Sequence, residues 1–201
     1  MVNLPIALVG LRASGKSTLG PVLAERSGLG FVDLDAAILE LAIDRGLVGP
    51  EASVGTVLSG LGERAFRDLE TEALTSTIAG SADVVIACGG GVVARAASRR
   101  ALEGCTVIWL DPPLGTLVSR LRDEPGDRPP LLGSGDAADE LAELDRRRRP
   151  YFEALASIRS VATVDPDRLV RALVEHLRGV AVDEGIAREL GLEFRDRSPR
   201  V

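Results

Sequence analysis

The sequence has one histidine, two cysteines and no long apolar run. His176 lies in a helical pattern near the C-terminus, where a histidine is more often a surface residue than a catalytic base. Cys88 and Cys105 lack the spacing of a metal site and lie in or beside apolar runs, so we expect buried free thiols in a reducing cytosol. Without a run of 18 apolar residues or a signal-peptide pattern, the chain is expected to be cytoplasmic and to have no membrane span.

The sequence also lacks an excess of basic residues. Lys and Arg total 24 against 30 Asp and Glu, a net charge of −6, which argues against a nucleic-acid-binding protein. The length of 201 residues, with 45% hydrophobic and 27% charged residues, is typical of one globular domain with a full core.

Short apolar runs alternate with amphipathic stretches along most of the chain. This alternation predicts a parallel sheet covered by helices on both faces, with ligands bound beyond the carboxyl ends of the strands. The candidate strands are residues 4–9, 31–32, 84–87, 107–110 and 161–164, and the candidate helices are 16–27, 36–45, 63–78, 114–122, 137–156 and 168–177. Residues 123–135 read as a mobile lid between two helices, and residues 180–201 as a polar C-terminal extension with a frayed end.

A glycine-rich pattern, G-x-x-x-x-G-K-S-T, follows the first candidate strand at residues 10–18. Between a strand and a helix, this pattern predicts a phosphate-binding loop for a nucleotide with Mg²⁺. Gly10 and Gly15 permit the tight turn, Lys16 supplies charge for the β- and γ-phosphates, and the Ser17 hydroxyl is placed to bind Mg²⁺. The loop residues expected to bind ATP are Leu11, Arg12, Ala13, Ser14, Gly15, Lys16, Ser17 and Thr18.

Asp33 and Asp35 follow the second candidate strand. In an extended segment, side chains two residues apart point to the same side, so both carboxylates could face the ligand. One would then assist Mg²⁺ and the other would serve as a base for an alcohol nucleophile. The alternative is that either residue merely caps the next helix.

Three glycines, Gly89, Gly90 and Gly91, follow the third candidate strand. They could expose backbone N–H groups to a ligand or form a flexible turn. Arg67, Arg128 and Arg148 are candidates for binding phosphate or carboxylate, although each taken alone is more often a solvated surface charge. At most two members of the run 146–149 can face one site on a helix.

Taken in order, these residues resemble the shikimate kinase family over about residues 4–178. The shared motifs are Gly10-x4-Gly15-Lys16-Ser17-Thr18, Asp33-x-Asp35, Gly62-Glu63-x-x-Phe66-Arg67-x-x-Glu70, Gly89-Gly90-Gly91, Arg128-Pro and Arg148-x-Pro150. The resemblance implies a P-loop NTPase fold similar to the nucleoside monophosphate kinases, a three-layer α/β/α sandwich with a five-stranded parallel sheet. It also implies a single kinase domain at residues 1–179, with a substrate-binding segment at about 35–67 and the lid at 123–135.

The activity implied is transfer of the γ-phosphoryl group of MgATP to the 3-hydroxyl of shikimate, by a monomer with no nucleic-acid or membrane partner. Asp35 would hold the substrate hydroxyls and take the proton, and Asp33 would reach Mg²⁺ through water. The implied substrate contacts are Asp35, Arg67, Gly89, Gly90, Gly91 and Arg148; Lys16, Asp35 and Arg128 would be catalytic, and Arg120, with Pro166 as a weaker candidate, would pack against adenine.

Three alternatives stay open at this point. The stretch at about 42–52 is longer than is usual for the family, so a kinase of another hydroxy acid, such as gluconate, is a second hypothesis. A nucleotide-dependent sensor without turnover is a third. Arg148 and Arg149 are neighbours, and a one-residue shift in the alignment with the family exchanges their roles, so either could face the substrate.

Overall fold

A six-stranded, mostly parallel sheet forms the centre of the computed structural model, which describes residues 4–123, 137–161 and 165–195. The strand order is β2-β3-β1-β4-β5-β6; the first five strands pair in parallel and β6 pairs antiparallel with β5. The strands are β1 (Ile6–Val9), β2 (Gly30–Asp33), β3 (Val84–Ala87), β4 (Thr106–Leu110), β5 (Ile158–Ser160) and β6 (Leu192–Phe194).

Helices cover both faces of the sheet, as the sequence predicts for strands that are buried on both sides. Along β1, Ala7 and Val9 belong to one apolar core and Ile6 and Leu8 to the other, because successive side chains of a strand point to opposite faces. The helices are α1 (Lys16–Ser27), α2 (Leu34–Asp44), α3 (Val54–Gly80), α4 (Ala96–Leu102), α5 (Leu114–Asp123), α6 (Ala137–Leu155), α7 (Pro166–Leu177) and α8 (Glu184–Glu189). The three-layer α/β/α prediction is therefore confirmed.

The prediction of five strands is wrong by one, because the C-terminal extension adds β6. Part of that extension is folded: α8 leads into β6, whose Leu192 is buried against the core. The end that is expected to be frayed lies outside the described residues beyond Arg195. The fifth strand also lies earlier than the predicted residues 161–164. β5 pairs with β4 through Ile158 and Ile108, whereas residues 162–164 lie outside the described residues.

Helix α3 begins nine residues before the predicted start at residue 63 and is interrupted at Gly62. Gly62 has φ 78° and ψ 162°, a backbone conformation that is not helical and that glycine adopts most easily. The kink gives the first part of the helix a different direction from the second. Ser53, the residue that caps α3, lies at a cavity wall.

The scarce residues of the sequence lie in the two cores or close to them. Cys88 and Cys105 are buried free thiols. His176 is half-buried, and its ring stacks on Phe194 of β6 with centroids 4.1 Å apart, so it is less exposed than the sequence predicts. Burial lowers the pKa of His176 from its ordinary value. In the part of the chain that the structure describes, no helix is both long and apolar enough to cross a bilayer.

Candidate active site

The loop between β1 and α1 passes very close to the neighbouring strand. A Cβ atom on Gly10, which has φ 144°, would lie 2.3 Å from the carbonyl oxygen of Leu110, so a side chain is excluded there. Gly15 has φ 98° at the N-terminus of α1. Ala13 has φ 61°, an uncommon conformation for a residue with a Cβ, which turns the middle of the loop inward. The loop therefore ends at a helix N-terminus, a favourable place for phosphate.

Lys16 lies under this loop. Its Nζ donates to the carbonyl oxygens of Gly10 and Leu11, at 3.0 and 2.7 Å, and to Ser14 Oγ at 3.0 Å. The ammonium group is thereby held among the loop oxygens and is almost fully buried. A phosphate bound by the loop would meet this charge at short range.

A cavity of about 990 Å³ opens at the carboxyl ends of the strands, in front of this loop. Most of the predicted site residues line it. They are Arg12, Ala13, Ser14, Gly15, Lys16, Ser17, Thr18, Asp33, Asp35, Gly89, Gly90, Arg120 and Pro166. Leu11 is buried behind the loop and contributes its carbonyl oxygen to Lys16 instead.

Asp33 and Asp35 both line the cavity, but the extended geometry predicted for them is wrong. Asp33 is the last residue of β2, whereas Asp35 lies in the first turn of α2. The Asp33 carboxylate caps that helix by accepting a hydrogen bond from the backbone N–H of Asp35 at 2.9 Å. Asp33 is thus a helix cap that also lines the cavity, so the alternatives given by the sequence do not exclude each other.

Arg67 and Arg148 lie behind the glycine turn rather than in the cavity wall. A Cβ atom on Gly91 would lie 2.2 Å from the Cζ of Arg67, so the guanidinium group rests directly against this glycine. Arg148 Nη1 donates to the carbonyl oxygen of Gly90 at 3.1 Å. The two arginine side chains are therefore positioned by Gly90 and Gly91, close to the cavity that Gly89 and Gly90 line.

Arg148 and Arg149, which the sequence leaves as alternatives, have different surroundings. Arg148 is only 9% exposed and contacts the glycine turn. Arg149 points elsewhere and binds Asp111 with two hydrogen bonds of 2.8 and 2.9 Å. Burial, and next the positive charge of Arg67, lower the pKa of Arg148 to about 10. Two guanidinium groups that repel each other in a buried place are suited to binding an anion.

Glu70 lies beside Arg67 and forms an ion pair with it. In the sequence analysis Glu70 is named as part of a motif but is assigned no function. It is 1% exposed, and its Oε2 accepts a hydrogen bond from Arg67 Nη1 at 2.9 Å. Burial raises the pKa of this carboxyl, while Arg67 opposes the rise. Glu70 Oε1 and Asp35 Oδ1 lie 3.0 and 3.1 Å from the position of a Cβ on Gly89, so both carboxylates approach that glycine.

Helix α2 and the start of α3 form another wall of the cavity. Leu39, Ala52, Ser53, Val54 and Gly55 line the cavity there. They fall within the segment at about 35–67 that is expected to bind the substrate, although none of these five is assigned a role of its own in the sequence analysis. On the opposite side, Arg120 Nη1 donates to the carbonyl oxygen of Ala13 at 3.1 Å, which holds α5 against the phosphate loop.

Two further predictions concern the lid and the metal ion. Arg128 and most of the predicted lid lie outside the described residues. Among residues 4–123, 137–161 and 165–195, no three His, Cys, Asp or Glu side chains gather as a metal site. Ser17 and Asp33 nevertheless provide a hydroxyl and a carboxylate at the cavity, a donor set that fits Mg²⁺ when phosphate and water oxygens complete it.

Comparisons with known proteins point to one family. A family model described as shikimate kinase matches residues 12–178. A shikimate kinase from Gloeobacter violaceus is 43% identical over 148 residues, which are 73% of this chain and 78% of that protein. One from Synechococcus elongatus is 34% identical over 178 residues, 89% of this chain and 88% of the relative. The structure of a shikimate kinase from Acinetobacter baumannii in complex with shikimate superposes with a TM-score of 0.73 and 27% identity, covering 88% and 94% of the two chains.

Proposed function

The chain belongs to the shikimate kinase family, and we propose that its cavity transfers the γ-phosphoryl group of MgATP to the 3-hydroxyl of shikimate. It is an ATP-dependent kinase with an alcohol acceptor. The observation that carries the detailed proposal is the shared cavity. The phosphate loop, Asp35 and the glycine turn that contacts Arg67 and Arg148 meet at its walls.

The nucleotide would lie along the phosphate loop. Loop N–H groups and the N-terminus of α1 bind the phosphates, and Lys16 exchanges its loop oxygens for phosphate oxygens. Arg120 and Pro166, which line the same cavity, would hold the adenine. Ser17 would bind Mg²⁺ directly and Asp33 would do so through water. When bound, the ion neutralises charge on the β- and γ-phosphate oxygens.

The acceptor acid would lie between Asp35 and the glycine turn. Its carboxylate would pair with Arg67 and Arg148, because guanidinium groups bind a carboxylate through two parallel hydrogen bonds. Gly89, Gly90 and Gly91 would approach it through their backbone, since no side chain intervenes. The segment at about 35–67 would form the acceptor-binding part of the domain, a role supported by the cavity wall at residues 52–55.

The reaction requires one proton to move and one phosphorus–oxygen bond to be exchanged. Asp35 accepts the proton of the 3-hydroxyl, and that oxygen forms a bond to the γ-phosphorus. The bond between the γ-phosphorus and the bridging oxygen breaks, and ADP leaves with the electron pair. Lys16 stabilises the charge on the transferring group. Arg128, which lies outside the described residues, would add a second positive charge from the lid.

We also infer a cytoplasmic monomer. One chain supplies each residue assigned above, which supports the monomer. The two buried free thiols fit a reducing compartment.

The test is ADP release from MgATP with shikimate, gluconate or quinate as the acceptor. Stimulation by shikimate alone is the expected result. Stimulation by gluconate alone would support the second hypothesis, a kinase of another hydroxy acid. ADP release without dependence on any acid would indicate a nucleotide-binding module. Mass spectrometry of the product identifies the phosphorylated hydroxyl.

A further inference from the structure

Helix α6 carries four consecutive arginines, which cannot all face one site because successive residues are about 100° apart around a helix. Arg146 and Arg147 both pair with Glu143 on the surface, and their side chains are 73% and 62% exposed. Arg148 turns inward to Gly90, and Arg149 turns toward the end of β4. The direction of Arg148 therefore depends on how this part of α6 is rotated.

The backbone of α6 is weakest at this point. Pro150 lies inside the helix and follows Arg149 directly. It has no N–H to donate to the carbonyl oxygen of Arg146, so one hydrogen bond of the helix is missing beside Arg148. Side-chain contacts must supply part of the restraint that the backbone does not.

Asp111 supplies that restraint. It directly follows β4, and its backbone N–H donates to the carbonyl oxygen of Ser160 at 2.8 Å, which fixes its position on the sheet. Its carboxylate accepts two hydrogen bonds from Arg149, at 2.8 and 2.9 Å, and two from Arg159, at 2.6 and 3.0 Å. The Asp111 side chain is 9% exposed, so water screens these ion pairs little.

Trp109 of β4 provides further contacts between β4 and α6. The guanidinium groups of Arg149 and Arg159 lie 5.1 and 4.8 Å from the centroid of its ring. The ring also stacks on Phe152 of α6, with centroids 5.7 Å apart. Without the Asp111 carboxylate, Arg149 would still bind Asp145, which lies on α6 itself, and Arg159 would still bind Glu193 of β6. Neither of these remaining ion pairs joins α6 to β4. The rotation of α6 is thus tied to β4 through both Arg149 and Phe152.

We propose that Asp111 is a positioning residue for the acceptor's carboxylate: by holding Arg149, it fixes the rotation of α6 that places Arg148 at Gly90. This inference rests on the proposed role of Arg148 as a carboxylate ligand. Asp111 itself does not line the cavity. Its carboxylate acts through α6, whereas its backbone keeps its place between Leu110 and the bond to Ser160, two residues that line the cavity, in any side-chain variant.

The first test is Asp111→Asn, which keeps the side-chain volume and removes the charge. The KM for shikimate is expected to rise roughly tenfold, within the usual range of coupling between contacting charged groups. The KM for MgATP is expected to stay within about twofold. Glu189→Gln is the control for the loss of a carboxylate that pairs with an arginine at the surface: Glu189 accepts two hydrogen bonds from Arg168, but on α8 and with its side chain 55% exposed. Its two KM values are expected to be those of the wild type.

A double-mutant cycle separates positioning from a general loss of structure. In an Arg148→Lys background, Asp111→Asn is expected to raise the KM for shikimate by no more than about twofold, because the group that it positions is already altered. The same tenfold rise in both backgrounds would overturn the proposal, and so would equal changes in the two KM values. Arg149→Lys, which keeps the charge but loses the paired hydrogen bonds, is expected to give a smaller rise in the same KM and can replace Asp111→Asn if that variant does not fold.

The wild-type assay distinguishes the two possible failures. A wild-type enzyme without shikimate-dependent ADP release would contradict the proposed function. An active wild-type enzyme whose KM for shikimate is unchanged by Asp111→Asn would contradict only the positioning role.

Discussion

Arg67 and Glu70 form a buried ion pair behind the glycine turn, with Arg67 Nη1 2.9 Å from Glu70 Oε2. The ion pair satisfies only part of the hydrogen-bonding capacity of each side chain. Among the described residues, Glu70 Oε1 and Arg67 Nε have no hydrogen-bond partner. Glu70 therefore orients Arg67 at the cost of burying a carboxylate with one free oxygen, which explains why burial dominates in raising its pKa.

The raised pKa of Glu70 leads to a prediction about stability and pH. A carboxyl whose pKa is higher in the folded protein binds its proton more tightly there than in the unfolded chain. Its contribution to the free energy of unfolding therefore falls as the pH rises from about 4.5, the ordinary value, through the raised pKa. We expect the wild type to lose stability relative to Glu70→Gln over this range, as measured by urea unfolding at a series of pH values.

A matched control for that comparison is Glu63→Gln. The Glu63 side chain is 68% exposed and lies 3.8 Å from Arg67 Nε, so we expect no comparable pH-dependent difference from the wild type. A stability difference that moves in favour of the wild type as the pH rises would mean that attraction to Arg67 outweighs burial. The assignment of the cause would then be wrong.

Gly91 leads to a second prediction, because the Arg67 guanidinium occupies the space where a Cβ would lie. Gly91 has φ −91°, which alanine adopts without strain. Gly91→Ala should therefore act by pushing Arg67 aside, at a cost of about 1–3 kcal/mol in the free energy of unfolding. We expect the KM for shikimate to rise roughly tenfold, the effect of about 1.4 kcal/mol of lost binding, while MgATP binding is preserved. Gly115→Ala, which meets nothing within 4 Å, is the control that should leave both KM values unchanged.

Asp35 and Asp33 can be separated by replacing each with asparagine. Asp35→Asn removes the proposed base, and we expect turnover to fall by about 10²- to 10⁴-fold while MgADP still binds in equilibrium titration. Asp33→Asn retains a side chain that caps α2 well, so its stability should change by only a few tenths of a kcal/mol. We expect that variant to need more Mg²⁺ for half-maximal activity. Near-normal turnover of Asp35→Asn would contradict its role.

The sequence predicts the elements whose ends carry strong local signals. The bounds of α1 agree with the prediction because Gly15 and Gly28 end the helix at both sides with positive φ. β5 was misplaced because Ile158–Ser160 contains an arginine and a serine, so it looks less apolar than residues 161–164. Its place in the sheet follows from pairing with β4, and Arg159 is tolerated there because Asp111 neutralises it.

The candidate site shows the same division between local and long-range information. The phosphate loop is formed by one short segment of the sequence, so its phosphate-binding geometry can be predicted from that segment alone. Arg148, by contrast, reaches Gly90 across 58 residues of sequence, and its distinction from Arg149 depends on Asp111, which no local pattern indicates. The antiparallel β6 was missed for a similar reason, since three residues with a central glutamate give a weak strand signal.

Gly60 and Gly62 provide a final prediction that isolates the backbone of α3. A Cβ atom on either glycine would meet nothing within 4 Å, so packing does not distinguish them. Gly60 is helical, and Gly60→Ala should raise the free energy of unfolding by about 0.5–1 kcal/mol. Gly62 has φ 78°, a conformation in which alanine is strained, so Gly62→Ala should lower the free energy of unfolding by about 1–3 kcal/mol.

The same two variants report on the cavity. Straightening α3 at residue 62 would move its first part, whose Val54 and Gly55 line the wall next to the proposed acceptor. We therefore expect Gly62→Ala to raise the KM for shikimate and to leave the KM for MgATP near the wild-type value, whereas Gly60→Ala should change neither. If Gly62→Ala is destabilised but keeps both KM values, the kink serves folding alone. The acceptor wall would then have to be set by α2, through Leu39, because the direction in which α3 begins would have no influence on the acid that the cavity binds.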